Sequence, residues 1–389
     1  MSNGDLYAGR EQTLVKHIIL RNYLERFAII VGSHWDTLTY VDCFSGPWKV
    51  KSEKFEDSSF AIAIEQLRGA REVHKKQTGK TLKLRCFFLE KTPSAYAKLK
   101  QFADQQDDVV IETKNKTLEN AIQDILWFVQ DGGPTSFHFL FIDPTGWSGF
   151  AMETIAPLLR LNNGEVLINF MIEYIRRFIE WPQKQNQDSF VRLFGSGQFK
   201  DILKGLEEKD REDAIVTAYR ESVIRVGLFA YTSSAIVLHP TKDRTHFRLI
   251  YATRGPKGIE VFKDAERKAM SVMEKTRGQA QKRGREERTG QTELAFASVT
   301  LDPSAYFQAL RERYTSCAKA KVLDLIQSKK RLPYDKAWSE AMTFPLTWEN
   351  DLKEWLRDLE SIGRLEFTGL KDTQRVPQRG KNVQIVWKA

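Results

Sequence analysis

Cysteine is scarce in this chain, and long apolar runs are missing. Only three cysteines occur in 389 residues, far apart and without zinc-ligand spacing or a disulfide-framework pattern. The six histidines show no HxxxH-type spacing, so we expect no metal site. No apolar run approaches the roughly 20 residues of a transmembrane helix, and the polar start predicts no secretory signal. These features favour a protein of the reducing cytoplasm.

Acidic residues are fewer than basic residues. The formal net charge is +9 and the pI is about 9.2. An excess of basic residues favours an anionic partner, and nucleic acid is the first candidate. A well-solvated surface without a polyanionic partner is the alternative.

Short, almost wholly apolar segments alternate with helical ones in the first half of the chain, which is typical of a parallel sheet covered on both faces. The five predicted strands are Leu38–Cys43, Leu84–Leu89, Val109–Glu112, Phe137–Ile142 and Glu165–Phe170. Two later strands, Ser234–Leu238 and Phe247–Thr253, are too close to be parallel, because a parallel crossover needs a dozen or more residues. The pattern predicts an α/β fold: a Rossmann-like methyltransferase sheet with a closing antiparallel hairpin, rather than a dehydrogenase sheet.

Changes in composition divide the chain into three parts. Residues 1–270 are predicted to form the Rossmann-like domain, with a polar and aromatic helical insertion at about 173–224. Residues 271–300 are predicted to form a basic linker, because Lys275–Arg288 is rich in Lys and Arg without an apolar face; a frayed charged helix end is the alternative. Residues 301–389 are predicted to fold independently.

The last part has the pattern of a winged helix. Two helices precede a third, which Thr347 is predicted to cap and Gly363 to end. Strands at Leu365–Phe367 and Val383–Trp387 then enclose a basic loop. Such domains bind DNA through the third helix or make only protein contacts, and both possibilities stay open.

The first candidate site motif is the run YVDCFSGPW, residues 40–48, where a buried strand passes into a loop. Ligands of doubly wound sheets bind at the carboxyl ends of strands. Asp42 can accept a hydrogen bond from a methionine ammonium, and small residues let the backbone approach a ligand. A single glycine, Gly46, serves a dinucleotide pyrophosphate poorly. A structural Gly-Pro turn is the alternative reading.

The second motif is FFLEK, residues 87–91. A carboxylate at the end of the second strand, Glu90, suits the paired hydroxyls of an adenosine ribose. Its distance from the first loop exceeds the usual spacing of about 20 residues, so the helical segment between them has to absorb the difference. A helix cap is the alternative role for this acid.

The third motif is FIDPTGW, residues 141–147, at the end of the fourth strand. The Asp143 side chain and the backbone carbonyl beside Pro144 can both accept hydrogen bonds from an exocyclic amine, which turns the nitrogen lone pair towards an incoming methyl group. Trp147 could stack on a nucleic-acid base. An Asp-Pro helix start is the alternative.

Together with the late run THFRLIYATRGPKGIEVFKDAE, these motifs resemble the three-Cys-motif partner family (TcmP), over nearly the whole chain. That family is similar to class I methyltransferases and carries a winged-helix tail. The resemblance implies an S-adenosylmethionine site and a methyl-accepting edge. The cofactor-binding residues would be Asp42, Phe44, Ser45, Gly46, Pro47, Glu90, Lys91 and Asn115, and the catalytic edge would be Asp143, Pro144, Thr145, Gly146 and Trp147. It also implies a partner, a radical-S-adenosylmethionine-like three-Cys-motif protein.

Two departures bear on activity. Trp48 stands where methyltransferases usually have a further glycine, and DPTG replaces the DPPY-type motif of amino-methylating enzymes. DPTG is closer to the D-P-x-G of transfer-RNA guanine methyltransferases.

The expected function is therefore S-adenosylmethionine-dependent methylation of an exocyclic amine in DNA or RNA. A non-catalytic adaptor that recruits the three-Cys-motif partner to nucleic acid is the main alternative, and a dehydrogenase ranks below it. Glu112-Thr113-Lys114 matches the E-x-K of restriction-type nucleases, a motif that arises by chance in many charged chains.

Overall fold

The computed structural model describes residues 6–46, 50–52, 55–289, 303–370, 374 and 376–388. The chain divides into two units. The first comprises residues up to Thr232 together with Ile236–Gly284, and the second comprises Ser233–Ala235 and the residues from Arg285 onward. Each unit contains its own sheet.

A seven-stranded sheet organises the first unit. Its strands are β1 (Thr37–Asp42), β2 (Lys83–Leu89), β3 (Val110–Lys114), β4 (Ser136–Ile142), β5 (Gly164–Phe170), β6 (Tyr231–Leu238) and β7 (Thr245–Thr253). The spatial order is β3-β2-β1-β4-β5-β7-β6. Strands β1 to β5 are parallel, and β7 runs antiparallel to β5. The predicted parallel sheet with a closing hairpin is confirmed, and this strand order matches methyltransferase-like folds.

How deeply each strand is buried depends on its position in the sheet. Every residue of β1 and β5 is buried, as expected for central strands covered on both faces. The edge strand β3 is only partly buried and has the mixed sequence VIETK. An apolar core between the sheet and the helices on one face contains Val41, Phe87 and Leu140.

Ten helices of this unit are described. They are α1 (Glu11–Gly32), α2 (Ser59–Thr78), α3 (Pro93–Ala103), α4 (Leu118–Asp131), α5 (Met152–Leu159), α6 (Ile172–Phe178), α7 (Lys184–Phe194), α8 (Phe199–Leu203), α9 (Glu208–Gly227) and α10 (Pro256–Thr289). Helix α2 shows how the sequence sets its ends: Ser58 Oγ accepts the Ala61 N–H at 3.3 Å, and Gly79 leaves the helix at a φ of +75°. Helices α6 to α9 form the insertion between β5 and β6.

Of the two interpretations of the segment from residue 271, the linker is wrong as far as Thr289 and the charged helix end is right, because α10 continues to Thr289. Arg277, which the sequence suggested was solvated, is only 2% exposed. Its guanidinium donates to the carbonyls of His239 at 3.0 Å and Lys242 at 3.1 Å, and to Asp243 at 2.6 Å. Met273 on the same helix is buried as well, so the segment has a packed face. The rest of the predicted linker, residues 290–302, lies outside the described residues.

The second unit has the order helix, strand, helix, helix, strand, strand. Its elements are α11 (Pro303–Lys329), β8 (Arg331–Pro333), α12 (Tyr334–Ala341), α13 (Glu349–Ser361), β9 (Leu365–Thr368) and β10 (Gln384–Trp387). Strand β10 lies between β8 and β9 and is antiparallel to both. Thr347 does not cap α13 as predicted: its hydroxyl donates to the Pro345 carbonyl, and Asp351 accepts the Trp348 N–H at 2.8 Å.

Candidate functional site

Two adjoining cavities open at the edge of the sheet where β1, β2 and β4 end. The β2–β4 cavity has a volume of about 330 Å³ and reaches from Glu90 to Pro144. The α1 cavity has a volume of about 240 Å³ and is lined by Asp143 and by Lys16 of helix α1. Phe44 and Thr145 line both cavities, so the two spaces share a wall.

Most of the predicted site residues come together here. Those lining one or both cavities are Phe44, Gly46, Glu90, Lys91, Asp143, Pro144, Thr145 and Gly146. The other described ones, Asp42, Ser45, Asn115 and Trp147, do not line either cavity. Pro47 and Trp48 lie outside the described residues.

Asp42 shapes the loop after β1. It is fully buried; one carboxylate oxygen accepts the Phe44 N–H at 3.0 Å and the other accepts the Ser59 hydroxyl at 2.5 Å. Burial raises the pKa of Asp42 to about 6, against the opposing effect of these two hydrogen bonds. The contacts observed for Asp42 therefore hold Phe44 and the start of α2 in place.

Ser45 joins this loop to the neighbouring strand. Its hydroxyl donates to the Asp42 carbonyl at 2.9 Å, and its N–H donates to the Leu89 carbonyl at 2.8 Å. The Leu89 N–H in turn donates to Ser45 Oγ at 3.2 Å. The ends of β1 and β2 are thus held together at the mouth of the β2–β4 cavity.

Glu90 supplies a buried carboxylate to the β2–β4 cavity. It is 2% exposed, and Oε1 accepts the Thr92 N–H at 2.6 Å. Asn115 is exposed and donates its side-chain N–H to the Glu90 backbone carbonyl at 2.7 Å. Asn115 therefore supports the backbone of Glu90 from outside the cavity.

Asp143 is held by two side chains. Lys16 forms an ion pair with Oδ2, and the Asn169 amide donates to Oδ1 at 2.6 Å. The side chains of Lys16 and Asp143 are 11% and 14% exposed, so water screens the pair only partly. The carboxylate predicted to face a substrate amine already interacts with an amine of the chain itself.

Asn169 at the end of β5 has one unmet hydrogen bond. The side-chain nitrogen of Asn169 donates to Asp143 Oδ1 and lies 3.4 Å from the sulfur of Met171. Both atoms are acceptors, so the nitrogen rather than the oxygen of the amide faces them. This arrangement fixes the orientation of the amide and leaves Oδ1 buried without a protein partner in the described structure.

Trp147 packs into the helical insertion. Its ring lies 5.0 Å from that of Phe178 and 5.6 Å from that of Phe190, measured between centroids. The indole thus connects the loop after β4 to α6 and α7.

Helix α1 adds site residues that the sequence analysis missed. Arg10, Lys16 and His17 line the α1 cavity, and Arg10 pairs with the buried Asp57. Tyr7 Oη lies 2.9 Å from His17 Nδ1, and burial together with the Lys16 ammonium lowers the pKa of His17 well below its usual value. The available signal was the pair Lys16-His17 inside a helical pattern of apolar residues.

The nuclease alternative gains no support from the contacts. Glu112 pairs with Lys114 at 3.0 Å, and Asp108 binds Arg68 and Arg71. Within the described ranges, no group of three or more His, Cys, Asp or Glu side chains could hold a metal ion. Over the same ranges, no helix has the length and apolarity needed to cross a bilayer.

The strand order and the crevice at the carboxyl ends of its strands place the first unit among methyltransferase-like α/β domains. No family model and no curated protein matches the chain, and the specific resemblance to the TcmP family is therefore not confirmed.

Comparison with solved structures gives distant likenesses. A protein from Legionella pneumophila str. Philadelphia 1 is 10% identical with a TM-score of 0.37, covering 66% of this chain and 91% of its own. A loganic acid methyltransferase with SAH is 8% identical with a TM-score of 0.31, covering 74% and 92%. A candidate methyltransferase from Thermobifida fusca YX is 8% identical with a TM-score of 0.33, covering 63% and 83%. Likenesses this weak carry no argument about function, and the class rests on the strand order.

Proposed function

We propose that the chain is an S-adenosylmethionine-dependent methyltransferase that acts on an exocyclic amine of a nucleic-acid base. One observation carries the proposal: a buried carboxylate, Glu90, and an acceptor carboxylate, Asp143, line adjoining cavities that share Phe44 and Thr145. A ribose bound to Glu90 and an amine bound to Asp143 would lie in neighbouring cavities that share Phe44 and Thr145.

The residues present fit the cofactor. The β2–β4 cavity, at about 330 Å³, falls within the range of small-molecule pockets. Glu90 suits two ribose hydroxyls, and Cys43, Leu118 and Pro144 provide apolar surface for a purine. When bound, S-adenosylmethionine would supply a methyl group to a nitrogen lone pair, with the neutral thioether of S-adenosylhomocysteine as the leaving group.

The chain would position the acceptor. Asp143 accepts a hydrogen bond from the amine, which directs the nitrogen lone pair away from the carboxylate. Pro144 has no N–H, so it adds no competing donor to this edge. The nitrogen exchanges one proton for the methyl group, and the Asp143 carboxylate is the nearest base on the acceptor side.

The cofactor is tested by isothermal titration with S-adenosylmethionine, S-adenosylhomocysteine and NAD. We expect at least micromolar affinity for the first two. Glu90→Ala should weaken binding about tenfold or more, because losing a charged hydrogen-bond acceptor costs about 1.5–3 kcal/mol. Glu112→Ala, which removes a carboxylate from the neighbouring edge strand, is the matched control and should bind normally. Equal binding by the Glu90 variant would place the ribose elsewhere, and preferential NAD binding would favour a dehydrogenase.

The adaptor function is the second candidate, and the Lys16–Asp143 ion pair favours it, because a carboxylate paired with lysine is not free for a substrate. In this case the chain would bring a radical-S-adenosylmethionine-like three-Cys-motif protein to nucleic acid. Tritiated-methyl incorporation into total DNA and RNA distinguishes the two functions. Incorporation supports the enzyme, and cofactor binding without incorporation, even with added partner, supports the adaptor.

We also propose that the second unit is a winged helix that binds nucleic acid. Its element order and three-stranded antiparallel sheet support this assignment. Helix α13 carries five acidic and two basic residues, so it is a poor ligand for phosphates. The loop between β9 and β10, which contains Arg379 and Lys381, is the better contact; Lys371 and Arg375 of this loop lie outside the described residues.

A further inference from the structure

A row of exposed aromatic and cationic side chains follows helix α6. Tyr174 and Phe178 stand four residues apart, and so do Arg177 and Trp181, which lies three residues beyond the end of α6. We call these four residues the aromatic stripe; Phe178 is half-buried, and the other three are exposed. Tyr174 is 39% exposed and Trp181 is 42% exposed. Both rings belong to one eight-residue segment that also contains the exposed Arg177, so aromatic and cationic groups are concentrated there.

Arg177 places a positive charge over the ring of Phe178. Its guanidinium carbon lies 5.1 Å from the Phe178 ring centroid. The neighbouring carboxylates are engaged elsewhere: Glu173 binds Arg244 and His246, and Glu180 binds Arg211 at 2.6 Å. Arg177 itself has no ion pair within the described part of the chain, so its charge is available to an anion.

The stripe is physically continuous with the acceptor edge. Trp147 follows Thr145, which lines both cavities, and the Trp147 ring lies 5.0 Å from Phe178. Phe178 in turn lies 4.7 Å from Trp181 in an edge-to-face arrangement. A chain of three aromatic rings thus leads from the loop after β4 to the surface.

We propose that the aromatic stripe binds single-stranded nucleic acid. Exposed rings beside a guanidinium provide stacking surfaces for bases and a contact for phosphate. Bases in a duplex are already stacked on each other, so their faces are not available to Tyr174 or Trp181. The inference rests on the proposed function for its substrate class, and it adds that the strand enters along α6 with the target base out of its stack.

Fluorescence anisotropy of the full chain tests this. The probes are a fluorescein-labelled single strand of about 20 nucleotides, as RNA and as DNA, and each strand annealed to its complement. Trp181→Ala should weaken single-strand binding about tenfold and leave duplex binding unchanged, because one base loses its stacking partner. The matched control is Trp127→Ala, which removes a tryptophan that is 70% exposed on α4, and it should bind like the wild type.

Two further variants keep the inference open to refutation if Trp181→Ala is unstable. Trp181→Phe retains a stacking ring and should keep most of the single-strand affinity. Arg177→Gln should lower the slope of affinity against salt by about one phosphate contact. Wild-type single-strand affinity in the Trp181 and Arg177 variants, or an equal loss for single strand and duplex, would overturn the proposal.

The cofactor titration separates this inference from the proposed function. A chain that binds single strands through Trp181 but does not bind S-adenosylmethionine overturns methyl transfer and leaves the stripe in place. A chain that binds the cofactor and ignores the stripe variants overturns only the stripe.

Discussion

Asp143 is where the proposed chemistry meets a competing contact. If Asp143 orients the acceptor amine, Asp143→Ala should lower the rate of methyl transfer about 10²–10³-fold, as for the loss of one oriented group, while most cofactor affinity remains. Lys16→Met should keep or raise activity, because it frees the carboxylate. The measurements are tritiated-methyl incorporation, cofactor titration and thermal melting. An active Asp143→Ala enzyme would contradict the amine mechanism, and a joint loss of cofactor affinity and melting temperature would make Asp143 structural.

Asp42 predicts a pH dependence of stability. Its folded pKa of about 6 lies above the usual 3.8, so folding favours the protonated form. Its contribution to stability is fully present below about pH 4 and is lost as the pH rises through about 6. Asp42→Asn should therefore be more stable relative to the wild type at pH 7.5 than at pH 5, by about 1.4 kcal/mol, because pH 5 lies about one unit below the folded pKa.

Urea unfolding of both proteins at the two pH values measures the Asp42 effect. Asp104→Asn, which changes an exposed carboxylate paired with Lys100, is the control and should give a difference that is small at both pH values. A pH-independent difference for Asp42→Asn would show that Asp42 is ionised throughout this range.

The predictable part of the site consists of residues at strand ends. Glu90 and Asp143 each follow an apolar run, and parallel neighbours bring such ends together. Lys16 and His17 could not be found this way, because they belong to a helix before the first strand and reach the crevice only through tertiary packing. The contacts of Asp143 with Lys16 and Asn169 join residues from three separate parts of the chain. No short sequence pattern could predict such contacts.

At the scale of elements, the central strands of the seven-stranded sheet were predictable within a few residues, because their apolar runs are long enough to be buried on both faces. The short strand β8 of the second unit was not predicted. Helix α10 was predicted beyond residue 270 only as the alternative to a linker, because its many basic residues obscure the packed face formed by Met273 and Arg277. A buried guanidinium has the same sequence signature as a solvated one, so only its carbonyl partners distinguish it.

Arg277→Ala tests this packing. The change removes the donor of the His239 carbonyl and of Asp243, while the Lys242 carbonyl keeps the Arg244 N–H at 2.9 Å. It should lower the free energy of unfolding by about 2 kcal/mol. Arg267→Ala is the control on the same helix; Arg267 has a 56% exposed side chain and a long 3.8 Å ion pair, so its loss should change little. Urea denaturation measures both, and equal stability of the two variants would argue against a structural role for Arg277.

At the scale of the whole molecule, the two units should separate by function. A chain truncated after Thr300 should still fold and bind S-adenosylmethionine, because every strand of the seven-stranded sheet and both cavities precede Thr289. It should lose duplex affinity, and the duplex affinity of the intact chain should fall steeply with salt. Circular dichroism, cofactor titration and anisotropy at two salt concentrations measure these outcomes. Equal duplex binding by both chains would assign the second unit to protein contacts.

If Asp143 accepts a substrate amine as proposed, its pairing with Lys16 also sets a condition on substrate selection. The chain carries an internal competitor whose ammonium occupies the carboxylate before any acceptor arrives. An incoming amine has to displace the lysine. Its apparent affinity is therefore the intrinsic affinity multiplied by the fraction of molecules in which the ion pair is open. An amine that binds weakly cannot displace the lysine. A base that also contacts other parts of the protein gains enough binding free energy to do so. Discrimination among acceptors would then begin with displacement of the lysine, before any methyl group moves.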